Sequence, residues 1–500
     1  MNLPEALQAL LRHPVVGRAA AALRQAGVRE AHLVGGAVRD ALLGLGQETR
    51  DLDLALPTDP RAAVETVARA FGAAVVPLDE ATTRLVFQES GGRWRLDVAR
   101  YRGPAIRDDL LRRDFTVNAM AVPLLGGGPP ALLDPTGGRV DLEARIVRHA
   151  YGAAFADEPL RTLRAVRLAA ALNGGIAPET RPLIRQATPG IGRVAGERIR
   201  DEVMKIFGEW DAARWANELA GLGLLAVLVP ASAAMEEVPP SPPHRHNLWE
   251  HSLEALRLLM GLLRDPGAWF PEDETEIGRR VDEVVEGEIP RRSLLGLFAI
   301  LHDVGKASTR TVDPDGRVRF VGHVEAGAAI LAELAARLRL GSRAATFLDR
   351  MERFHMRPIL LAAEPAVTPQ ARHHFFRDLD LLALDVLLHS LADVRATVGR
   401  DDPAWLAHLR FVRQMLAFRR DRLRALRAAP PLSGEEVMAL TGIGPGPLVG
   451  YVLQRVAEAA ALGRTRSPEE CRDLVRRELA AWKREFEQTA GVAQPPPKRP

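Results

Sequence analysis

Two aspartates, Asp51 and Asp53, stand two apart in Arg50-Asp-Leu-Asp-Leu-Ala55, a stretch that reads as a β-strand. Alternation along a strand sends both side chains to one face. Paired carboxylates in that geometry can hold two divalent cations, one activating an attacking hydroxyl and the other stabilising a departing pyrophosphate. Upstream, Gly35-Gly36 falls between a short apolar strand and a helix, where backbone N–H groups can receive phosphate. Asp97, in Leu96-Asp97-Val98 on a later strand, is a candidate third catalytic carboxylate. Taken singly, an Asp-x-Asp also describes a solvated strand face, and a Gly-Gly pair an ordinary turn.

A second group of residues suits transition metals. His302-Asp303 follows an apolar helix in Leu301-His-Asp-Val-Gly-Lys306, and His251 lies upstream in Asn247-Leu-Trp-Glu-His251. His323, His355 and Asp393 fall on separate predicted helices. Imidazole and carboxylate ligands match divalent transition metals, and a shared carboxylate can bridge two of them. His244, His246, His373 and His374 have no comparable assignment.

The elements that must position these residues follow from hydrophobic period and breakers. Residues 5–26 read as one helix ending at Gly27, and strands are expected from Ala31, at 50–55, Thr83–Gln88 and Trp94–Ala99. From 157 onward the pattern is helical. The expected class is α+β, an α/β head over 1–150 followed by helical parts. Those parts are a neck over 151–238, a histidine-bearing domain over 244–400 and a tail over 401–493, with proline clusters at Val238–Pro243 and Arg427–Pro431 marking joints. The acidic stretch Glu272–Glu288 reads as an exposed insertion, and Gln494–Pro500 as too proline-rich and polar to fold. Arg419, Arg420, Arg422, Arg424 and Arg427 make a basic helix, either an RNA-facing surface or a solvated face.

Composition narrows the class. Across 500 residues, 47% are hydrophobic and 26% charged, which excludes wholesale disorder. The net charge of +3 is too mild to announce nucleic acid, so such a site must come from local clustering. The only cysteine, Cys471, forbids an intrachain disulfide and a cysteine-rich zinc site. Residues Met1 to Ala20 lack a signal-peptide pattern, and no run of about 18 uncharged apolar residues occurs. The expectation is a cytoplasmic protein with no membrane partner and no obligate protein partner evident.

Taken together, the motifs resemble the bacterial tRNA nucleotidyltransferase and poly(A) polymerase family. Leu33-Val-Gly-Gly-Ala-Val-Arg-Asp-Ala-Leu-Leu-Gly44, Arg50-Asp-Leu-Asp53 and Arg112-Arg-Asp-Phe-Thr-Val-Asn-Ala-Met-Ala121 are similar to its head. Asp134-Pro-Thr-Gly-Gly138, Pro159-Leu-Arg-Thr-Leu-Arg-Ala-Val-Arg167 and Gly196-Glu-Arg-Ile-Arg200 continue the motifs in family order. The resemblance implies Mg²⁺ at Asp51 and Asp53, with Gly35, Gly36 and Arg39 near the triphosphate of CTP or ATP. It places Arg113, Asp114 and Asn118 toward the nucleotide sugar and phosphates. The implied activity is addition of CCA, or only CC, to tRNA 3′ ends without a nucleic-acid template. The alternatives are a poly(A) polymerase and a phosphohydrolase whose head is a non-catalytic binding module.

The family reads the base with side chains. Cytosine and adenine each present an amino donor beside a ring-nitrogen acceptor, which a carboxylate and an arginine complement; uracil and guanine reverse that polarity. The matching segment is Asp157-Glu158-Pro159-Leu160-Arg161, with Glu158 and Arg161 three apart, and Arg164 and Arg167 continue an arginine stripe suited to phosphate. The usual family order is Glu-Asp, so here either Glu158 or Asp157 reads the base. The segment Arg102–Leu111 is shorter than the loop that CCA-adding relatives use to switch from CTP to ATP, a feature of relatives that add only cytidines. The histidine set resembles the HD superfamily of metal-dependent phosphohydrolases: His251, His302, Asp303 and Asp393 match its core ligands, and His323 and His355 complete a two-metal version. Mn²⁺, Ni²⁺ or Co²⁺ is the implied ion, and a 2′,3′-cyclic phosphate on a damaged tRNA end the expected substrate. Leu432–Gly450 resembles the C-terminal segment of HD-bearing members.

Overall fold

The computed structural model describes residues 3–46, 49–89, 92–126, 131–428, 432–461, 464–465 and 467–490. The expected unfolded end, Gln494–Pro500, and the side chains of Arg422, Arg424 and Arg427 lie outside the described residues. The chain divides into two compact units, residues 1–233 with 333–340, and residues 234–332 with 341–500.

The first unit holds six strands: β1 Ala31–Val34, β2 Asp51–Leu56, β3 Ala74–Pro77, β4 Thr82–Glu89, β5 Gly92–Arg100 and β6 Ala121–Leu125. They form one mixed sheet in the order β3-β4-β5-β2-β1-β6. β2 runs parallel to β5, and every other pairing in the sheet is antiparallel. Leu52, Leu54 and Leu56 of β2 are buried beside Leu96 and Val98 of β5, so the alternate residues Asp51, Asp53 and Asp97 take the opposite face.

Several sequence expectations are corrected. The helix expected over 5–26 is two helices, Leu3–Leu11 and Pro14–Gln25, because Pro14 excludes a helical conformation at His13 (ψ 132°). Strands β3 and β6 carried no alternation to reveal them. All four β3 residues are exposed, and β6 contains Pro123, which an edge strand tolerates. The neck is not wholly helical, since Gly175–Ile176 pairs in parallel with Ile146–Val147. Two short antiparallel pairs, Val284–Glu286 with Ile289–Pro290 and Thr311–Val312 with Val318–Arg319, likewise interrupt the helices of the second unit.

In that second unit, helix Leu248–Arg264 packs against Arg291–Leu301 and Leu382–Val398 through apolar faces that include Leu256, Leu259, Phe298 and Leu387. The acidic stretch is not a free insertion. Asp273, Ile277 and Val281 are buried, Arg419 pairs with Glu276, and Arg420 pairs with Glu272 and Asp273. Arg280 (3.0 Å) and Arg291 (2.9 Å) both reach the buried Asp385, which neutralises a carboxylate that burial alone would not tolerate. Arg419 and Arg420 of the expected basic helix are thus spent inside the unit. In the tail, Ser433 and Glu436 form a capping box on helix Gly434–Thr441, above a core of Val437, Val452, Val456 and Val475.

Candidate active sites

In the head, register brings three carboxylates together. Val34 stands opposite Asp53, and Asp53 opposite Asp97. Asp51 is exposed, with Arg95 3.7 Å away. Both Asp97 oxygens accept from Arg84, at 2.8 Å each. Burial pushes the Asp53 carboxyl up to about 6, with Arg113 pulling it down and Asp97 and Asp51 pushing it further up. A carboxylate crowded in this way gains from a cation, so Asp51 and Asp53 fit a divalent metal, whereas Asp97 must first release Arg84.

Around this edge the motif residues hold one another. Gly35 closes β1 with φ 73°, and Gly36 begins helix Gly36–Leu42. Arg39 donates to Asp40 and to Asn118 Oδ1 (2.7 Å), and Asn118 donates to Asp114 Oδ1 (3.3 Å). Arg113 is anchored on the buried Asp109, with Nε 3.0 Å from its Oδ2. Asp114 also meets Arg164 at 3.2 Å; burial raises its carboxyl, but Arg164 and the Phe115 N–H outweigh that and hold it below the ordinary range.

The segment joining β5 to Arg113 is folded on itself. It contains helix Ile106–Leu110, and Arg102 and Arg112 each donate to the other's carbonyl, at 3.1 and 3.0 Å. Asp108 accepts from the Ala105 N–H, and Asp109 from the Arg102 N–H.

In the neck, helix Ala154–Asp157 ends at Glu158, which is extended, and helix Arg161–Ala171 follows Pro159 and Leu160. Pro159 is seated against Gly190, where a Cβ would come within 2.7 Å of it. Glu158 pairs with Arg161 Nε (3.2 Å) and with Arg198. Burial raises the Glu158 carboxyl, and Arg198, Arg164 and Arg161 together reverse the shift, leaving it ionised. Asp157 instead accepts from Tyr151 Oη at 2.7 Å. Arg167 is paired with Glu202. Tyr151, Arg198 and Arg84 escaped the sequence reading because their partners lie 10, 40 and 13 residues away.

In the second unit, all six expected ligands converge. His251 Nε2 lies 3.1 Å from Asp393 Oδ1, and His302 Nε2 lies 3.7 Å from the same oxygen. Asp303 faces His302 (3.3 Å), His323 (4.0 Å) and His355 (3.9 Å). Two candidate metal groups result, His251 with His302 and Asp393, and Asp303 with His323 and His355. Nδ1 of His302, His323 and His355 donates to the carbonyls of Ala299, Phe320 and Glu352 at 2.9, 2.9 and 2.7 Å, which turns each Nε2 lone pair inward. Those three Nε2 atoms and Asp303 Oδ1 are buried with no hydrogen-bond partner among the described residues. Orphaned acceptors at that cost fit divalent cations. Lys306 Nζ lies 2.6 Å from Asp303 Oδ2.

Three further residues join this cluster that the sequence did not reveal. His244 stacks edge-on to His251 with ring centroids 5.1 Å apart, and His389 lies 4.8 Å from His302. Glu352 is wholly buried against Gly327, and burial together with Asp303 pushes its carboxyl well above the ordinary range. Helical spacing was the available signal, since Glu352 precedes His355 by three residues and His389 precedes Asp393 by four.

Among the described residues no helix is long and apolar enough to cross a membrane. Residues 61–148 match the family described as Poly A polymerase head domain, 175–235 that described as Probable RNA and SrmB-binding site of polymerase A, and 248–398 the HD domain. The A-adding tRNA nucleotidyltransferase of Deinococcus radiodurans is 36% identical over 463 residues, 89% of this chain and 95% of that protein. The CC-adding tRNA nucleotidyltransferase of Thermus thermophilus is 34% identical over 454 residues, 89% and 92%. Among solved structures, a CCA-adding enzyme with ATP superposes with a TM-score of 0.63 at 21% identity, covering 95% of this chain and 96% of that one. The Thermotoga maritima CCA-adding enzyme complexed with tRNA gives 0.62 at 22%, covering 95% and 98%, and the two show a shared fold. On its motifs, its fold and these relatives, the chain belongs to the bacterial tRNA nucleotidyltransferase and poly(A) polymerase family, and it is a nucleotidyltransferase that carries an HD domain.

Proposed function

We propose that this enzyme extends tRNA 3′ ends with CTP and ATP, without a nucleic-acid template, in the head and neck. The observation that carries the reading is the crowding of Asp53 by Asp51, Asp97 and Arg113 at the end of β1, within the field of Arg164 from the neck motif. Bound at Asp51 and Asp53, Mg²⁺ would acidify the tRNA 3′-hydroxyl and stabilise the departing pyrophosphate. Arg113, fixed by Asp109, and Arg39, fixed by Asn118, supply cationic contacts for the triphosphate beside Gly35 and Gly36. Asp114 orients Asn118 and Arg164 toward the nucleotide, while Arg167 is available to phosphate only by exchange with Glu202. One carboxylate of the Asp157-Glu158 pair accepts from the base amino group, and Arg161 donates to the ring nitrogen.

In this reading the head spans 1–150, the neck 151–238, the HD domain 244–400 and an RNA-binding tail 401–493. The test is incubation of the purified protein with tRNA lacking its 3′ end, Mg²⁺, and each nucleotide separately and together. Extension of tRNA by C and A supports the reading, and long adenylate tracts would favour a poly(A) polymerase instead. A second reading, addition of cytidines alone, is favoured by the short Arg102–Leu111 segment, whose reciprocal arginine bonds and helix oppose the rearrangement that a switch from CTP to ATP requires. Omitting ATP would then leave the product unchanged.

For the second unit the proposal is hydrolysis of phosphoesters, most directly 2′,3′-cyclic phosphates that block a damaged tRNA end. Mn²⁺, Ni²⁺ or Co²⁺ held by His251, His302, Asp303, His323, His355 and Asp393 would polarise the phosphoester and acidify a water. Metal-dependent hydrolysis of a 2′,3′-cyclic nucleotide, in which water opens one phosphoester bond to leave the 2′- or 3′-monophosphate, is the assay.

A further inference from the structure

The neck motif leaves two adjacent carboxylates competing for one role, and their environments differ. Asp157 ends a helix and Glu158 is extended (φ −145°, ψ 95°), so the two side chains leave the chain in different directions. Glu158 Oε2 lies 3.2 Å from Arg161 Nε, an ion pair without a hydrogen bond at that nitrogen. Asp157 is turned to a different partner; its Oδ2 accepts from the Tyr151 hydroxyl at 2.7 Å. That hydroxyl, its proton committed to Asp157, accepts in turn from Arg161 Nη1 at 2.8 Å. Nη1 also donates to the Ala154 carbonyl at 3.0 Å, and the guanidinium carbon lies 5.8 Å from the Tyr151 ring centre.

The consequence for Arg161 is a guanidinium fixed through Nη1 alone, with its charge paired to Glu158. Nη1 is divided between Tyr151 and Ala154, whereas Nε, 3.2 Å from Glu158 Oε2, and Nη2 make no hydrogen bond among the described residues. Reading a base edge by polarity needs a donor and an acceptor at set positions, because a mobile donor finds a compromise with the wrong base. Arg161 is buried, so slack in its placement would come from missing partners rather than from solvent.

We infer that Tyr151 is a specificity-determining positioning residue: its hydroxyl, oriented by Asp157, locks the Arg161 guanidinium beside Glu158, so that Glu158 and Arg161 meet the base while Asp157 acts through Tyr151. This rests on the proposal that the neck pair reads cytosine or adenine. It accounts for the Asp-Glu order of this chain: the longer carboxylate stands beside Arg161, and the shorter one is used one step back. Tyr151 lies ten residues before Arg161, between the Asp134–Gly138 and Pro159–Arg167 motifs and outside both.

The experiment compares the full-length enzyme with Tyr151→Phe, Asp157→Asn, Glu158→Gln and Arg161→Ala, measuring kcat and KM for each of the four nucleoside triphosphates on tRNA lacking its 3′ end and on tRNA ending in CC. Tyr151→Phe keeps the ring and loses one hydroxyl, and it should lower the kcat/KM preference for CTP over UTP, or ATP over GTP, about tenfold. Asp157→Asn keeps an acceptor for the Tyr151 proton and should shift that preference less than Glu158→Gln does. If Tyr151→Phe slows all nucleotides equally with the preference intact, or changes nothing while Arg161→Ala relaxes the choice, Tyr151 is structural only and the inference falls while base reading stands. An Asp157→Asn effect as large as that of Glu158→Gln would also overturn it. Unchanged preference in folded Arg161→Ala and Glu158→Gln together would instead remove the base-reading proposal itself.

Discussion

Gly35 and Asp53 approach so closely that no side chain fits between them. A Cβ at position 35 would come within 2.7 Å of Asp53 Oδ2 and 3.3 Å of Arg113 Nη1, at a left-handed φ of +73°. The glycine turn and the Asp-x-Asp are therefore one device, since the bare backbone at 35 lets the end of β1 reach the carboxylate edge of β2. Gly35→Ala should cut nucleotide addition by about 100-fold and cost about 1–2 kcal/mol of stability, because strain and clash fall on the same atom. Kinetics at saturating nucleotide together with a denaturation midpoint would check both, and a fully active variant would detach the turn from the site.

Asp51→Ala and Asp53→Ala should each abolish nucleotide addition with the fold intact, as judged by circular dichroism and by hydrolysis at the second site. A single variant with full activity would remove the paired-carboxylate mechanism.

The raised Asp53 carboxyl has a pH signature whose direction follows from linkage. Its folded value, about 6, lies above the ordinary carboxylate range, so the ionised, metal-free side chain destabilises the fold at neutral pH. That penalty, of order 3 kcal/mol, is absent below the ordinary carboxylate range, grows as pH rises from there and is complete above about 6. Asp53→Asn should accordingly raise the thermal midpoint in EDTA at pH 8 but not at pH 4. Divalent-cation affinity of the head should fall about tenfold per pH unit below 6, which titration calorimetry of the His302→Ala, Asp303→Ala protein can measure.

The two metal sites should be chemically independent. His302→Ala with Asp303→Ala removes ligands from both candidate groups and should eliminate phosphoester hydrolysis, with bound transition metal falling in elemental analysis. The same protein should still extend a tRNA bearing a free 3′-hydroxyl. Collapse of that extension with the fold preserved would mean that the sites are coupled.

Gly305 follows the His-Asp pair and abuts the His323 carbonyl and the Gly327 N–H. Gly305→Ala forces that backbone apart and should cost about 1–3 kcal/mol, with loss of metal from the His323–His355 group. The readout is the metal-dependent part of the thermal midpoint. An unchanged midpoint and metal content would show that the second group does not depend on this packing.

Much of this protein was legible in residue type and short spacing. Asp51 and Asp53 share a face because strand period is two, and the sequence order of the motifs from Leu33 to Arg200 suffices to identify the family. His251, His302, Asp303, His323, His355 and Asp393 were likewise marked by chemistry, since imidazoles and carboxylates on apolar helices have few other reasons to be there. Tertiary structure decided the partnerships. Asp97 meets Arg84 only because β4 and β5 pair in one register, and the Tyr151 hydroxyl finds Arg161 only when the turn before helix Ala154–Asp157 folds back on helix Arg161–Ala171. Arg419 and Arg420, basic in sequence and suited to RNA, are instead consumed by Glu272, Asp273 and Glu276 some 140 residues away. Local sequence sets backbone period and the chemistry of each side chain. Which charges neutralise which is settled by burial, where an unpaired ion is costly and the nearest opposite charge in space takes the place.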